Sequence, residues 1–315
     1  MKITKRRALF YVPAIILATL ASQRHTQAQQ MPKEYQDVLT YLGKKGDYKD
    51  GVLKVSIPRN DLKISIAGVA TPTSFGFGGW CAMTGGDKGM NVMMGDLVLL
   101  QGEVNPVMSA ILDNGLEVTA LHNHFFWDDP RVYYMHIHGH GKPADLAREV
   151  KPALDLIGHV SPREGARSEN ASDSSAAENA VQVVEGKLNT QKINTIIGHE
   201  GEMNGPVYKI TIGRDDLKIK EMGASINARM GLNTWAAFVG TDEKTAVAGD
   251  IAMLESEVTS VLRALRKNAL DVVAIHHHMT RTRPMVIFLH YWGVGPAEKL
   301  AAGVRAAIDG THVKP

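Results

Sequence analysis

VLKVSIPRNDLKI, residues 52–64, returns 155 residues later as VYKITIGRDDLKI (207–219), with Arg59 over Arg214 and Asp61 over Asp216. Trp80 and Trp235 keep that offset. After a one-residue gap, MMGDLVLLQGEV (93–104) matches VAGDIAMLESEV (247–258), aligning Gly95 with Gly249, Asp96 with Asp250 and Glu103 with Glu257. VTALHNH (118–124) then matches VVAIHHH (272–278), Pro130 matches Pro284, and His136 matches His290. Residues of mixed type in constant register over this length mark an internal duplication. The copies occupy 31–159 and 186–314, joined by 160–185, where SPREGARSENASDSSAAENA has almost no large apolar residue. Such a segment buries too little surface to offset its ordering entropy and reads as a flexible linker.

Within each copy the hydrophobic periods change in a fixed order. An alternating strand at 52–57 leads through a Gly-rich stretch to an apolar strand near 92–100. EVNPVMSAILDNG follows, where Val104, Val107, Met108, Ile111 and Leu112 form one helical stripe that Gly115 ends. LEVTALHNHFF and RVYYMHIH read as two strands joined at WDDP, and PADLAREVKPALDLIG as an amphipathic helix opening on Pro143. The expected fold class is α+β: two tandem homologous repeats, each an antiparallel sheet with two helices packed on one face.

ALHNHFFWDDPRVYYMHIHGHG (120–141) carries the chemistry. Taken as a hairpin about Pro130, it sets His124 opposite His136 and His122 opposite His138. The two-residue period of a strand puts all four on one face. Leu121, Phe125, Tyr133, Met135 and Ile137 then form the apolar face against the helices. Opposed side chains have Cβ atoms about 4.5–5.5 Å apart, close enough for imidazoles to share an ion. The expected ligands are His122, His124 and His136 with His138 as a fourth, and His276, His278 and His290 in the second copy. Three histidines and an open position suit zinc or copper. A polar sheet face bonded to backbone, water or a sugar is the competing reading.

Glu103 and Asp96 are the candidate proton carriers if the site is a zinc hydrolase. Glu103, like Glu257, also fits as an acidic residue complementing a helix N-terminus. Asp128 and Asp129 read as turn residues. Cys81 and Met83, Met90, Met93 and Met94 raise a copper alternative confined to the first copy. Trp80, Trp127, Trp235, Trp292 and Tyr134 supply the stacking residues of a metal-free cell-wall or glycan-binding module.

The chain has 315 residues, a net charge of +2 and one cysteine, so nucleic acid is not an expected partner and no internal disulfide can form. Lys2, Lys5, Arg6 and Arg7 precede the apolar run ALFYVPAIILATLA (8–21), the pattern of a signal peptide over 1–28, and TKRRALF has the paired-arginine look of twin-arginine export. The expectation is a periplasmic or secreted protein without a stable membrane span after cleavage, whose partners are a small ligand or a cell-envelope component. GDLVLLQGEVNPVMSAILDNGLEVTALHNH (95–124), the Pro130 turn and His136, repeated as GDIAML through VVAIHHH, Pro284 and His290, resemble the LppY/LpqO family of exported bacterial proteins, a domain-of-unknown-function family. The resemblance covers both repeats and implies an exported, duplicated domain, with no chemistry attached.

Overall fold

The computed structural model describes residues 29–159 and 187–311. The expected leader (1–28) and linker (160–185) lie outside the described residues.

Each repeat builds one six-stranded sheet. In the first, β1 (Gly46–Lys49), β2 (Val52–Pro58), β5 (Gly78–Gly85), β6 (Asn91–Leu100), β9 (Val132–Gly141) and β7 (Glu117–His122) lie side by side in that order, every neighbouring pair antiparallel. The second repeats the order with β10 (Gly201–Asn204), β11 (Val207–Gly213), β14 (Asn233–Gly240), β15 (Thr245–Leu254), β17 (Val286–Gly295) and β16 (Asp271–His276). Short strands β3 (Ile64–Ile66), β4 (Val69–Thr71) and β8 (Asp128–Asp129) form a side sheet, and β12 (Lys220–Glu221) pairs with β13 (Ala224–Ser225).

Helices α2 (Gln101–Asp113) and α3 (Pro143–Leu156) appear where the sequence places them, and α5 (Val258–Lys267) and α6 (Ala297–Asp309) repeat them. Gly115, at φ +84°, ends the α2 turn as Leu116 N–H donates to the Ile111 carbonyl. A third helix per repeat extends the expected two: α1 (Lys33–Leu42) and α4 (Thr190–Ile197). Tyr35, Val38 and Leu42 seat α1 on the same core as Val107, Ile111, Leu146 and Val150, against Leu53, Val55, Leu97, Met135 and Ile137 of the sheet. The second repeat has an equivalent helix-side core around Ile193, Val261, Leu265 and Val304.

The other face of each sheet packs on its counterpart. One inter-repeat core joins Ile64, Phe75, Phe77, Val98 and Tyr134 of the first copy to Val207, Ala237, Ala248 and Trp292 of the second. The equivalent core reverses the roles, setting Ile219, Met230, Leu232 and Phe288 against Val52, Ala82 and Met94. In both, the segment after β2 or β11 reaches over the opposite repeat. The result is four layers, helices–sheet–sheet–helices, with a pseudo-two-fold between the copies.

The hairpin register differs from the expected one. His122 pairs with Tyr134, Ala120 with His136 and Glu117 with His138, so the strands turn about position 128 rather than Pro130. The shift arises at the turn, where Asp128–Asp129 leave the hairpin to pair with β3. A bulge between Val118 and Ala120, repeated at Val272/Ala274, changes the pairing only at the far end, where Glu117 meets His138. His124 lies beyond the end of β7. The even parity survives, so the histidines still face away from the helices. Leu121 is exposed and Phe125 packs in an inter-repeat core rather than under the helices. Asp129–Pro130 and Arg283–Pro284 are both cis peptides.

A candidate metal centre between the repeats

The strand ladders position the site. Across the first sheet, Ser56 pairs with Trp80, Trp80 with Asp96, Asp96 with His136 and His136 with Ala120. Across the second, Thr211, Trp235, Asp250, His290 and Ala274 follow in the same way. Both ladders face the seam between the sheets, so two sets expected to act separately form a single cluster.

His122 lies against His276 with ring centroids 3.8 Å apart, His124 against His290 at 3.6 Å, and His136 against His278 at 4.1 Å. Every one of these pairs joins one repeat to the other. Three groups bring ligand atoms within 4.8 Å of one another: His122/His124/His290, His122/His136/His276 and Asp250/His276/His278. The buried histidine and aspartate groups therefore have the chemistry and spacing to hold a metal ion.

Three backbone carbonyls orient the rings. His136 Nδ1 is 3.3 Å from the Gly95 carbonyl, His290 Nδ1 3.2 Å from that of Gly249, and His278 Nδ1 3.2 Å from that of Gly231. A carbonyl at Nδ1 selects the tautomer whose Nε2 is a free lone pair, the usual support for a ligating histidine. Gly95 and Gly249 are the repeated Gly-Asp glycines, and both approach their neighbours too closely for a side chain. A Cβ at Gly249 would sit 2.2 Å from the Tyr291 hydroxyl and 2.3 Å from the Trp235 carbonyl. Tyr134 stacks on His124 at 3.3 Å, and Phe288 on His278 at 3.5 Å, closing the cluster at equivalent ends.

Seven ring nitrogens in the cluster are shut from solvent with no hydrogen-bond partner in the protein: His122 Nε2, His136 Nε2, His290 Nε2 and both nitrogens of His124 and His276. Asp96 Oδ1 and Asp250 Oδ1 are in the same condition. Burial pushes His122, His124, His136, His276 and His290 below the ordinary histidine value, so they stand neutral, as metal ligands must. Burial and the neighbouring Asp250 raise Asp96 to about 8.

Lys54 and Lys209, at matching positions of the opening repeat, were not among the expected site residues. Their ammonium groups lie 4.5 Å from the Trp80 ring centroid and 4.3 Å from that of Trp235. Burial lowers both to about 8, with Lys209 adding to the shift at Lys54. Their in-register recurrence in VLKVSI and VYKITI was the available signal.

Several expected site residues lie elsewhere. His138 is 3.3 Å from Glu221 of the other repeat and belongs to none of the three ligand groups. Trp292 replaces it in the second copy, and Ile66 replaces Glu221 in the first, so this contact has no counterpart. Glu103 is bound by Arg59 at 2.6 Å and accepts from the Leu100 and Gly158 N–H groups, both at 2.7 Å. Glu257 meets Arg214 at 3.0 Å in the same way. These carboxylates pin a helix start to a buried arginine, as the helix-terminus reading expects. Asp128, expected in the turn, instead lies in β8 opposite Ile66, and its Oδ2 accepts from Val132 N–H at 2.6 Å.

Cys81, Met83 and Met93 lie in the helix-side core, across the sheet from the histidines, and burial pushes the Cys81 thiol up to about 12. Met94 lies on the opposite, seam face in an inter-repeat core, so the sulfur residues of the copper alternative do not gather on one side of the sheet. The aromatic residues of the glycan reading do not make one surface. Tyr134 and Trp292 are buried between the repeats, while Trp127 is exposed on the turn.

No helix among the described residues is long and apolar enough to cross a membrane. No curated protein matches the chain. Among solved structures it is similar to the trimeric bacterial microcompartment shell protein PduB, at 12% identity over 85% of this chain and 90% of that one, with a TM-score of 0.21. EtuB from Clostridium kluyveri shows 9% identity over 83% and 89%, with a TM-score of 0.19. Likenesses this distant carry no argument. The profile of the Domain of Unknown Function (DUF1259) matches residues 36–156 and again 191–310, so the chain belongs to that family and carries its domain twice.

Proposed function

We propose that this protein is an exported transition-metal-binding protein whose site is the histidine cluster shared by its two repeats. The observation that carries the reading is the set of seven solvent-excluded ring nitrogens without a protein partner. Leaving a buried polar atom unsatisfied costs about 1–3 kcal/mol, and a domain's whole net stability is about 5–15 kcal/mol. A neutral imidazole has one lone pair beside its N–H, so a metal can satisfy one such nitrogen on each of these five rings. Five costs of this size together rival the fold's stability. Neutral imidazoles with an occasional carboxylate favour zinc or copper over magnesium or calcium, which take oxygen. The leader pattern at 1–28 and the resemblance to LppY/LpqO proteins support a periplasmic or secreted location, with a small ligand or envelope component as partner.

The hydrolase reading keeps one candidate proton carrier, Asp96, which pairs with His136 in the strand ladder. Turnover abolished by chelator and restored by zinc would favour it over a carrier.

The direct test is zinc titration of the chelator-stripped protein against a competing chelator dye. Binding that disappears in the paired variant His122→Ala/His276→Ala supports the reading. Full binding in that variant, or none in the wild type, defeats it.

A further inference from the structure

The cluster holds more donors than one ion can use. Of its three ligand groups, His122/His124/His290 and Asp250/His276/His278 share no residue. The third, His122/His136/His276, borrows one histidine from each and lies across the pseudo-two-fold. Repeat equivalence carries His122, His124 and His290 onto His276, His278 and His136. In keeping with this, His136 lies 4.1 Å from His278 and 5.2 Å from His276, ring centroid to centroid. Each half thus gathers three imidazoles, with at least one from the opposite repeat.

Zinc in protein sites takes four or five ligands, and each histidine gives one. A single ion on the axis would satisfy part of the set and leave the rest orphaned, His124 Nδ1 and Nε2 among them. Two ions in one buried site repel, and the cluster has two carboxylates where they can offset that repulsion. Asp250 pairs with His290 in the strand ladder and its Oδ2 lies 3.5 Å from His278 Nε2, while Asp96, its repeat equivalent, pairs with His136 and has Oδ1 unpartnered. We infer that the seam holds two transition-metal dications, one on His122, His124 and His290 with Asp96, the other on His276, His278 and His136 with Asp250.

This inference rests on the proposed metal function and extends it to a two-ion centre, the arrangement that clamps two oxygens of one ligand when the ions lie about 3.5–4 Å apart. It also explains the duplication physically, because neither repeat alone supplies a complete set for either ion.

The test uses the full chain, stripped and reloaded separately with zinc and with copper(II). Zinc content is measured by elemental analysis and copper coupling by electron paramagnetic resonance. The wild type is expected to saturate at two equivalents, with copper signals broadened by coupling. His124→Ala and His278→Ala are each expected to retain one equivalent and lose the coupling. Saturation of the wild type at one equivalent overturns the two-ion centre while leaving metal binding intact, whereas no bound metal defeats the underlying function as well. The wild-type stoichiometry decides even if either variant fails to fold.

Discussion

His122 and His276, equivalent positions of the two copies, lie against one another across the seam between the sheets with ring centroids 3.8 Å apart. Each belongs to two of the three ligand groups, so the pair sits where the two halves of the cluster meet. An ion held there ties the repeats together through bonds that the unfolded chain cannot make.

Metal is therefore expected to stabilise the whole molecule. A ligand at a hundred times its Kd adds about 2.7 kcal/mol, or about 5–10 °C in Tm for a chain of this size. Calorimetry with and without zinc should show one transition moving upward, and the paired variant His122→Ala/His276→Ala should remove the shift. An unchanged wild-type Tm would count against an ion at the seam.

Acid is expected to unfold the metal-free protein early. Five cluster histidines stay neutral in the fold because burial lowers their pKa, while the unfolded chain protonates them below about 6.5. Below that pH the unfolded state binds more protons, and stability falls by about 1.4 kcal/mol per pH unit for each histidine. Asp96 and Asp128, raised by burial, run the other way, because the fold keeps protons that the unfolded chain releases. The histidines outnumber them, so the net slope between about pH 6.5 and 4.5 is downward with falling pH. Urea midpoints across that range should decline steadily, and a flat profile would mean the rings are not held neutral.

Glu103 is expected to matter for stability and not for metal. Removing it leaves the buried Arg59 with Asp61 and the Val98 carbonyl, Asp61 being its one remaining carboxylate, and frees the Leu100 and Gly158 N–H groups. Breaking a buried pair by removing one partner typically costs about 3–5 kcal/mol. Glu103→Ala should lower the unfolding free energy from denaturant titration by that order while leaving metal stoichiometry unchanged. A folded variant that lost metal would instead restore Glu103 to the site.

Gly249→Ala tests the support behind His290. The new methyl meets the Tyr291 hydroxyl and the Trp235 carbonyl, so the strand that presents the Gly249 carbonyl to His290 Nδ1 must shift. Overpacking of this kind costs about 1–3 kcal/mol. Disturbing a ligand's outer partner weakens metal binding about 10–100-fold. Competition titration should show that loss, and wild-type affinity would mean the carbonyl contact is incidental.

Much of this molecule is legible along the chain. The duplication, the central strands and the helices α2 and α3 follow from period and punctuation. Helix α1 is also written there, in Tyr35, Val38 and Leu42 at helical spacing, ahead of the first strand of the matched pattern. The hairpin register was not accessible. It depends on Asp128–Asp129 leaving to pair with β3, a contact distant in sequence. His138 misled for a related reason. It shares the face of His136, but a face covers several strands, and at that point the opposite repeat presents Glu221.

By itself, then, the sequence determined which residues recur and which side of each sheet they occupy, because a strand alternates its side chains whatever its register. Tertiary structure decided what those sides meet. Each histidine face carries too many polar groups to pack on the helices, and the inter-repeat cores that flank it press the two sheets together. Two three-histidine sets that read as separate sites thereby become one cluster, whose contacts between equivalent residues no pattern within a single copy could reveal.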